Sequence, residues 1–362
     1  MSSNNLNPKQ DLKAIVVGCA STELTADEKA LFADHPPAGF ILFQRNCVSE
    51  AQVTDLVSSF RDVIGWEHAP VLIDQEGGTV SRLKAPVWQE FPAAVDFAKL
   101  AETDLDAASQ VVYQNAVLMG MDLAQMGVTV NCAPVMDVPT DECHGFLADS
   151  RAYGRDVEQV TMLAEHVCRG LLAAGVTPVM KHIPGHGRGS VDSHMELPKV
   201  TTESETLQQT DYAPFRNLSA QDIGEAVWAM GAHIIYTDVD TELAATLSPK
   251  IVEDVIRQDI GFDGVAIADD IGMQALAGDF VQRAKATLAS GLDMTLHCSG
   301  KFDEMQPVLQ SIDVLSDRAL MRIVTAEEKR QSWTEKDPLN GKTRTEALSE
   351  MEQMLNNVKA VA

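Results

Sequence analysis

The chain has 362 residues, 45% hydrophobic and 22% charged, the balance of an ordinary globular protein long enough to bury a sizeable core. With 53 acidic against 28 basic residues the formal net charge is −25, which repels nucleic acid and anionic membrane and excludes both as expected partners. The six cysteines, at 19, 47, 132, 143, 168 and 298, form no CxxC pair and read as free thiols of a reducing compartment.

The N-terminal stretch MSSNNLNPKQDLK is polar, and the run AIVVGCA (14–20) after it is too short to span a membrane and lacks a basic leader. A cytoplasmic protein is expected, with AIVVGCA as a buried strand. GFILF (39–43) comes next, followed by SEAQVTDLVSSFRDVIG with apolar residues at helical spacing. PVLID (70–74) precedes a long connection and a helix from about Ala107 to Met126. VTVNCAP (128–134) leads through another long loop to the helical VEQVTMLAEHVCRGLLAAG. TPVMKH (177–182), AVWAMGAHIIYT (226–237), GVAIADD (264–270) and LDMTLHC (292–298) complete the series, with helical SPKIVEDVIRQDIG, QRAKATLASG and FDEMQPVLQSI between or after them.

The eight runs are continuously apolar rather than alternating, as in parallel strands buried on both faces. Strand–helix alternation at this length predicts an α/β fold, a (β/α)8 TIM-like barrel with enlarged βα loops. No GxGxxG follows the first strand, which counts against a dinucleotide fold. The expected organisation is one catalytic barrel over residues 1–331 and a polar tail over 332–362, a loop plus one helix packed on the barrel exterior.

Barrel chemistry gathers at the C-terminal ends of the strands, and a charge there is costly unless paired or functional. Asp74 ends the third run, Lys181 and His182 the fifth, and Asp269 and Asp270 the seventh, so these charges come from separate strands toward one pocket. Asn131, Asp137 and His233 also lie at or just past strand ends, whereas Asp293 starts the last strand and falls at the opposite face.

The segment KHIPGHGRGSVDSH (181–194) admits three readings. His182 and His186 have a metal-like spacing, but Pro184 and Gly185 forbid the helix that would align them, and Lys181 adds unwanted positive charge. GHGRG is Gly-rich but lacks the GK[ST] of a phosphate-binding P-loop. General acid/base work is the third: in extended backbone Asp192 and His194 point to one side, so Asp192 could orient and charge-stabilise the His194 ring. The glycines flanking Arg188 would let the loop move over a pocket. On spacing alone, a turn-capping Asp192 and a solvated His194 are the favoured description.

KHIPGHG followed by DSH resembles the KHFPGHG…DSH signature of glycoside hydrolase family 3, closest to the single-domain bacterial β-N-acetylglucosaminidases of peptidoglycan recycling. LIDQEGGTVSRL is similar to the family's DQEGGxVxR, DSRAYGRD to its DRxF segment, AHIIYTDVD to AHVxYxxxD and GFDGVAIADDIGMQAL to GFDGxxxSDDLxMxAx. The similarity runs in order from about residue 12 to 330.

The resemblance implies a retaining exo-β-N-acetylglucosaminidase acting on muropeptides through a covalent sugar–enzyme intermediate. It assigns Asp269 as nucleophile, His194 as acid/base and Asp192 as its partner, with Asp74, Arg82, Arg151, Lys181 and His182 binding the terminal sugar. It implies no cofactor and no metal, a carbohydrate substrate as partner, and a monomer. His186 is expected to be structural. A phosphorylase, a β-glucosidase and a silent sugar-binding barrel are the competing readings. The sequence departs from the family pattern at Ile183 (usually Phe), Ala268 (Ser), Gly272 (Ser), Thr79 (Arg) and Ser150, which stands between Asp149 and Arg151. None of these removes a catalytic group.

Overall fold

Residues 6–191 and 196–359 are described by the structure, a computed structural model. Eight strands close into a parallel barrel: β1 (Lys13–Val17), β2 (Pro37–Leu42), β3 (Val71–Ile73), β4 (Val130–Asn131), β5 (Thr177–Ile183), then β7 (Trp228–Gly231), β9 (Ala266–Asp270) and β10 (Met294–His297). Around the barrel the order is β1-β10-β9-β7-β5-β4-β3-β2, and the seam closes where Ile15, Val16 and Val17 pair with Thr295, Leu296 and His297. All eight apolar runs are barrel strands. Their continuous hydrophobicity has the anticipated cause: Val16, Phe40, Ile41, Val71 and Ile267 are fully buried between barrel interior and helices.

Two short strands were not anticipated. β6 (Lys199–Val200) and β8 (Ile235–Tyr236) form a separate parallel pair. The run 226–237 therefore splits. Ala232 N–H still donates to Ile183 in β5, but Ile235 N–H donates to Pro198, outside the barrel. The intervening His233 is thereby turned across the barrel rim. Sequence periodicity sees one apolar run because both pieces are buried.

The surrounding helices follow from capping and spacing. Glu50–Ile64 starts at Ser49, whose hydroxyl accepts from Gln52 N–H, and ends at Gly65 in the left-handed conformation (φ 65°). Its Val53, Leu56, Val57, Phe60 and Ile64 form the buried stripe. Leu105–Gln125 and Val157–Ala173 pack closely, because a Cβ on Gly170 would lie 2.5 Å from the Tyr113 carbonyl oxygen. Ile251–Asp259 is wound as a π-helix rather than the expected α-helix.

Asp293 lies at the barrel's opposite end, as its position at a strand start implied. Its carboxylate bonds Arg257 at 3.0 Å and Arg322 at 2.7 Å, tying the helix Asp317–Trp333 under the barrel. The terminal helix Arg344–Lys359 lies on the exterior against Leu105–Gln125, through Arg344–Asp122 (2.8 Å), Gln114 to the Ala347 carbonyl (3.0 Å), and buried Ala347, Met351 and Leu355. Among the described residues no helix is long and apolar enough to cross a membrane.

Candidate active site

Charged groups collect at the C-terminal ends of β3, β5 and β9. Asp74 follows β3 directly. The chain then turns through Gln75-Glu76-Gly77-Gly78 and returns, bringing Arg82 back onto Asp74 at 2.9 Å. Gln75 shapes that return: its Oε1 accepts from the backbone N–H of Arg82 and Leu83. Asn131, at the end of β4, locks Gln75 reciprocally, accepting from Gln75 N–H at 3.0 Å and donating to its carbonyl at 2.8 Å. Gly77 is obligatory here, with φ 94° and an added Cβ only 2.2 Å from the Pro92 carbonyl oxygen.

Lys181, at the end of β5, bridges Asp74 (3.3 Å) and Glu76 (2.6 Å). Arg151 clamps the same Glu76 with two parallel bonds, Nε to Oε2 at 2.9 Å and Nη2 to Oε1 at 2.8 Å. The network is thus two carboxylates and three cations from three separate loops and strands. Burial alone would push the Glu76 carboxyl up; Arg151 and Lys181 outweigh it and hold the group below the usual carboxylate range. Burial would likewise lower Lys181 and Arg151, but Glu76 and then Asp74 keep Lys181 raised, and Glu76 keeps Arg151 raised. Glu76, Lys181 and Arg151 are therefore charged at neutral pH, part of a preorganised set of donors and acceptors suited to hydroxyl-rich ligands.

His182 is held from behind by Asp137, Nδ1 to Oδ2 at 2.7 Å. Asp137 Oδ1 also accepts from the backbone N–H of His182 (3.2 Å) and His186 (2.5 Å). Burial raises the Asp137 carboxyl, yet His182 and His186 bring it below its ordinary value. With Nδ1 donating to a carboxylate, the His182 ring is held in one orientation. His186 is buried, and burial pushes its ring down to about 4, so it is neutral at pH 7.

Asp269 and Asp270 end β9. Asp269 Oδ1 accepts from Asp270 N–H at 2.8 Å. The thiol of Cys132, just past β4, is raised first by burial and then by Asp74. Asp74, Lys181, His182 and Asp269 lie at the C-terminal strand ends as expected, and Arg82 and Arg151 join them through Asp74 and Glu76. Asp192 and His194 lie outside the described residues.

Two groups with large roles were passed over in the sequence. Glu76 is the hub of the network but sits in a glycine turn, where a carboxylate reads as a solvated loop residue. Asp137 was noted only as following β4; the signal for it was a buried, otherwise apolar stretch, APVMDV. The loop after His186 is closely packed as far as Gly189. A Cβ on Gly187 would lie 1.9 Å from the Val138 carbonyl oxygen, while Gly187 and Gly189 carbonyls accept from Thr140 and His144 N–H. Arg188 is tied to Asp211 at 2.7 Å. Through Gly189 the glycines permit close packing. Gly187→Ala is expected to lower the melting midpoint by several degrees, on the order of 2 kcal/mol or more; an unchanged midpoint by calorimetry would contradict this packing.

Comparison with known proteins agrees with this geometry. Residues 9–329 match the glycosyl hydrolase family 3 N terminal domain. The chain belongs to glycoside hydrolase family 3. It is a glycoside hydrolase. It is 33% identical over 288 residues to a β-hexosaminidase of Shewanella frigidimarina (79% of this chain, 82% of the relative). It is 34% identical over 325 residues to one of Actinobacillus succinogenes (85% and 89%). Among solved structures, NagZ from Neisseria gonorrhoeae in complex with N-trifluoroacetyl-D-glucosamine superposes with TM-score 0.83 at 26% identity, covering 96% of this chain and 99% of that one. A family 3 β-N-acetylglucosaminidase from Paenibacillus sp. str. FPU-7 gives TM-score 0.80 at 26% identity, covering 94% and 67%.

Proposed function

We propose that this family 3 enzyme is a retaining exo-β-N-acetylglucosaminidase that removes terminal β-linked N-acetylglucosamine from muropeptides in peptidoglycan recycling, in the cytoplasm and as a monomer. The observation that carries the reading is the buried Asp74–Lys181–Glu76–Arg151 network, with Arg82 on Asp74, beside the strand end that bears Asp269. Its fixed charges suit a single sugar's hydroxyls. The β-hexosaminidase relatives and the sugar analogue bound by the gonococcal neighbour support the choice of N-acetylglucosamine.

In this mechanism the Asp269 carboxylate attacks the anomeric carbon while the glycosidic C–O bond breaks and His194 protonates the departing oxygen. His194 then takes a proton from water, which attacks the same carbon and releases Asp269, so two inversions give net retention. An imidazole serves both steps because its ordinary pKa is near about 6.5. Asp192 orients it. Asp74, Arg82, Arg151, Lys181 and His182 bind the sugar. The barrel over residues 1–331 carries all of these groups, and the tail over 332–362 none.

Release of p-nitrophenol from the β-N-acetylglucosaminide and the β-glucoside, measured side by side, tests the substrate class. At least about a hundredfold preference for the first is expected, from polar contacts to the acetamido group. Equal or reversed preference would overturn it. With phosphate added, free N-acetylglucosamine should remain the product; N-acetylglucosamine 1-phosphate would make the enzyme a phosphorylase.

A further inference from the structure

We propose that His233, acting through Asp270, positions the Asp269 nucleophile. The inference rests on the assignment of Asp269 as that nucleophile. His233 lies two residues beyond β7 and is 1% exposed. Its Nε2 is 3.1 Å from the Asp270 carbonyl oxygen and its Nδ1 is 2.7 Å from Thr246 Oγ1. A carbonyl can only accept, so the proton is on Nε2, and Nδ1 must accept from the Thr246 hydroxyl. Burial lowers the His233 pKa, which keeps the ring neutral and this single tautomer in place at working pH.

Asp270 is gripped at further points. Its Oδ1 accepts from Gly272 N–H at 2.9 Å and from Cys298 N–H at 3.1 Å, at the end of β10. Its own N–H is the donor to Asp269 Oδ1. Asp270 is therefore a relay: its carbonyl is held from β7, its carboxylate from β10, and its amide orients the carboxylate that must meet the anomeric carbon in line. The arrangement spans three neighbouring strand ends, β7, β9 and β10, and none of its members except Asp269 needs to touch the sugar. Thr246 is fully buried and its carbonyl accepts from Ser290 Oγ at 3.0 Å, so the far end of the chain is itself fixed.

A positioning residue alters the chemical step more than substrate binding. His233→Ala is expected to lower kcat on the p-nitrophenyl N-acetylglucosaminide about 10- to 100-fold with KM within about threefold. His233→Gln, which can place an N–H near the Nε2 position, should recover most of the loss. Thr246→Val, a shape-preserving change that removes only the donor to Nδ1, should cost about fivefold in kcat and keeps the test decisive if His233→Ala does not fold. A folded His233→Ala with kcat within twofold of wild type would overturn the proposal. So would a His233→Gln as impaired as His233→Ala, or a Thr246→Val indistinguishable from wild type. Asp269→Ala is measured in parallel. If it retains activity, the nucleophile assignment fails and the positioning role with it; if it is dead while His233→Ala is fully active, only the positioning role fails.

Discussion

An Asp269→Ala enzyme is expected to lose on the order of 10⁴-fold or more in kcat while keeping its fold and its affinity for N-acetylglucosamine. Removing the carboxylate keeps the sugar-binding network, because Asp74, Lys181, Glu76, Arg82 and Arg151 brace one another. The variant should regain turnover with added azide. The small anion enters the space vacated by the side chain, attacks the anomeric carbon from the same face, and gives the α-glycosyl azide. A β-azide, or no rescue with full residual activity, would mean that the attacking group lies elsewhere.

Glu76→Gln is the second large effect. Among the described residues, the change removes the only carboxylate that Arg151 is bonded to and one of the two that Lys181 bridges, leaving buried cations short of charge. Breaking a buried ion network in this way costs about 3–5 kcal/mol, far more than a surface pair is worth. Catalytic efficiency should fall about a hundredfold or more, since Lys181 and Arg151 would no longer be aimed. The pH dependence gives a separate check. Glu76 has a folded-state pKa below its unfolded value, so its contribution is present above about pH 4.3 and is lost as pH falls toward the folded value. His186, lowered to about 4 by burial, acts in the same direction at higher pH: its contribution is present above about pH 6.5 and lost on the way down to about 4. Denaturant unfolding of the wild type should therefore weaken first between about pH 6.5 and 4, and then further below that. Glu76→Gln should shrink the second phase to the part that Asp137 and other lowered carboxylates carry, and leave the first. A variant with wild-type stability at pH 7, or with both phases intact, would show that Glu76 is not the hub.

The barrel was legible because each strand is buried on both faces and so is written as an unbroken apolar run, GFILF or PVLI, followed by a helical period. Asp74, Lys181 and Asp269 were legible for the converse reason: a charge terminating such a run has little other reason to be there. Glu76 was not, since its partner Arg151 is 75 residues away and no local pattern announces a long-range ion pair. β6 and β8 were missed because burial hides the point where the chain leaves the barrel. His233 was visible only as a polar residue within an apolar run; its bond to Asp270 depends on the bend that separates β7 from β8. Gly187 and Gly189 are also small enough to admit the backbone around Val138 and the ring of His186, contacts that no local pattern announces.

The central claim is a covalent sugar on Asp269, and the direct measurement is its capture. The enzyme is incubated with a 5-fluoro N-acetylglucosaminyl fluoride, which slows breakdown of the intermediate, then digested and mapped by mass spectrometry. The account predicts one added sugar on the peptide GFDGVAIADDIGMQAL, localised to Asp269. A label on any other residue, or inactivation-free turnover with no labelled peptide, would contradict it.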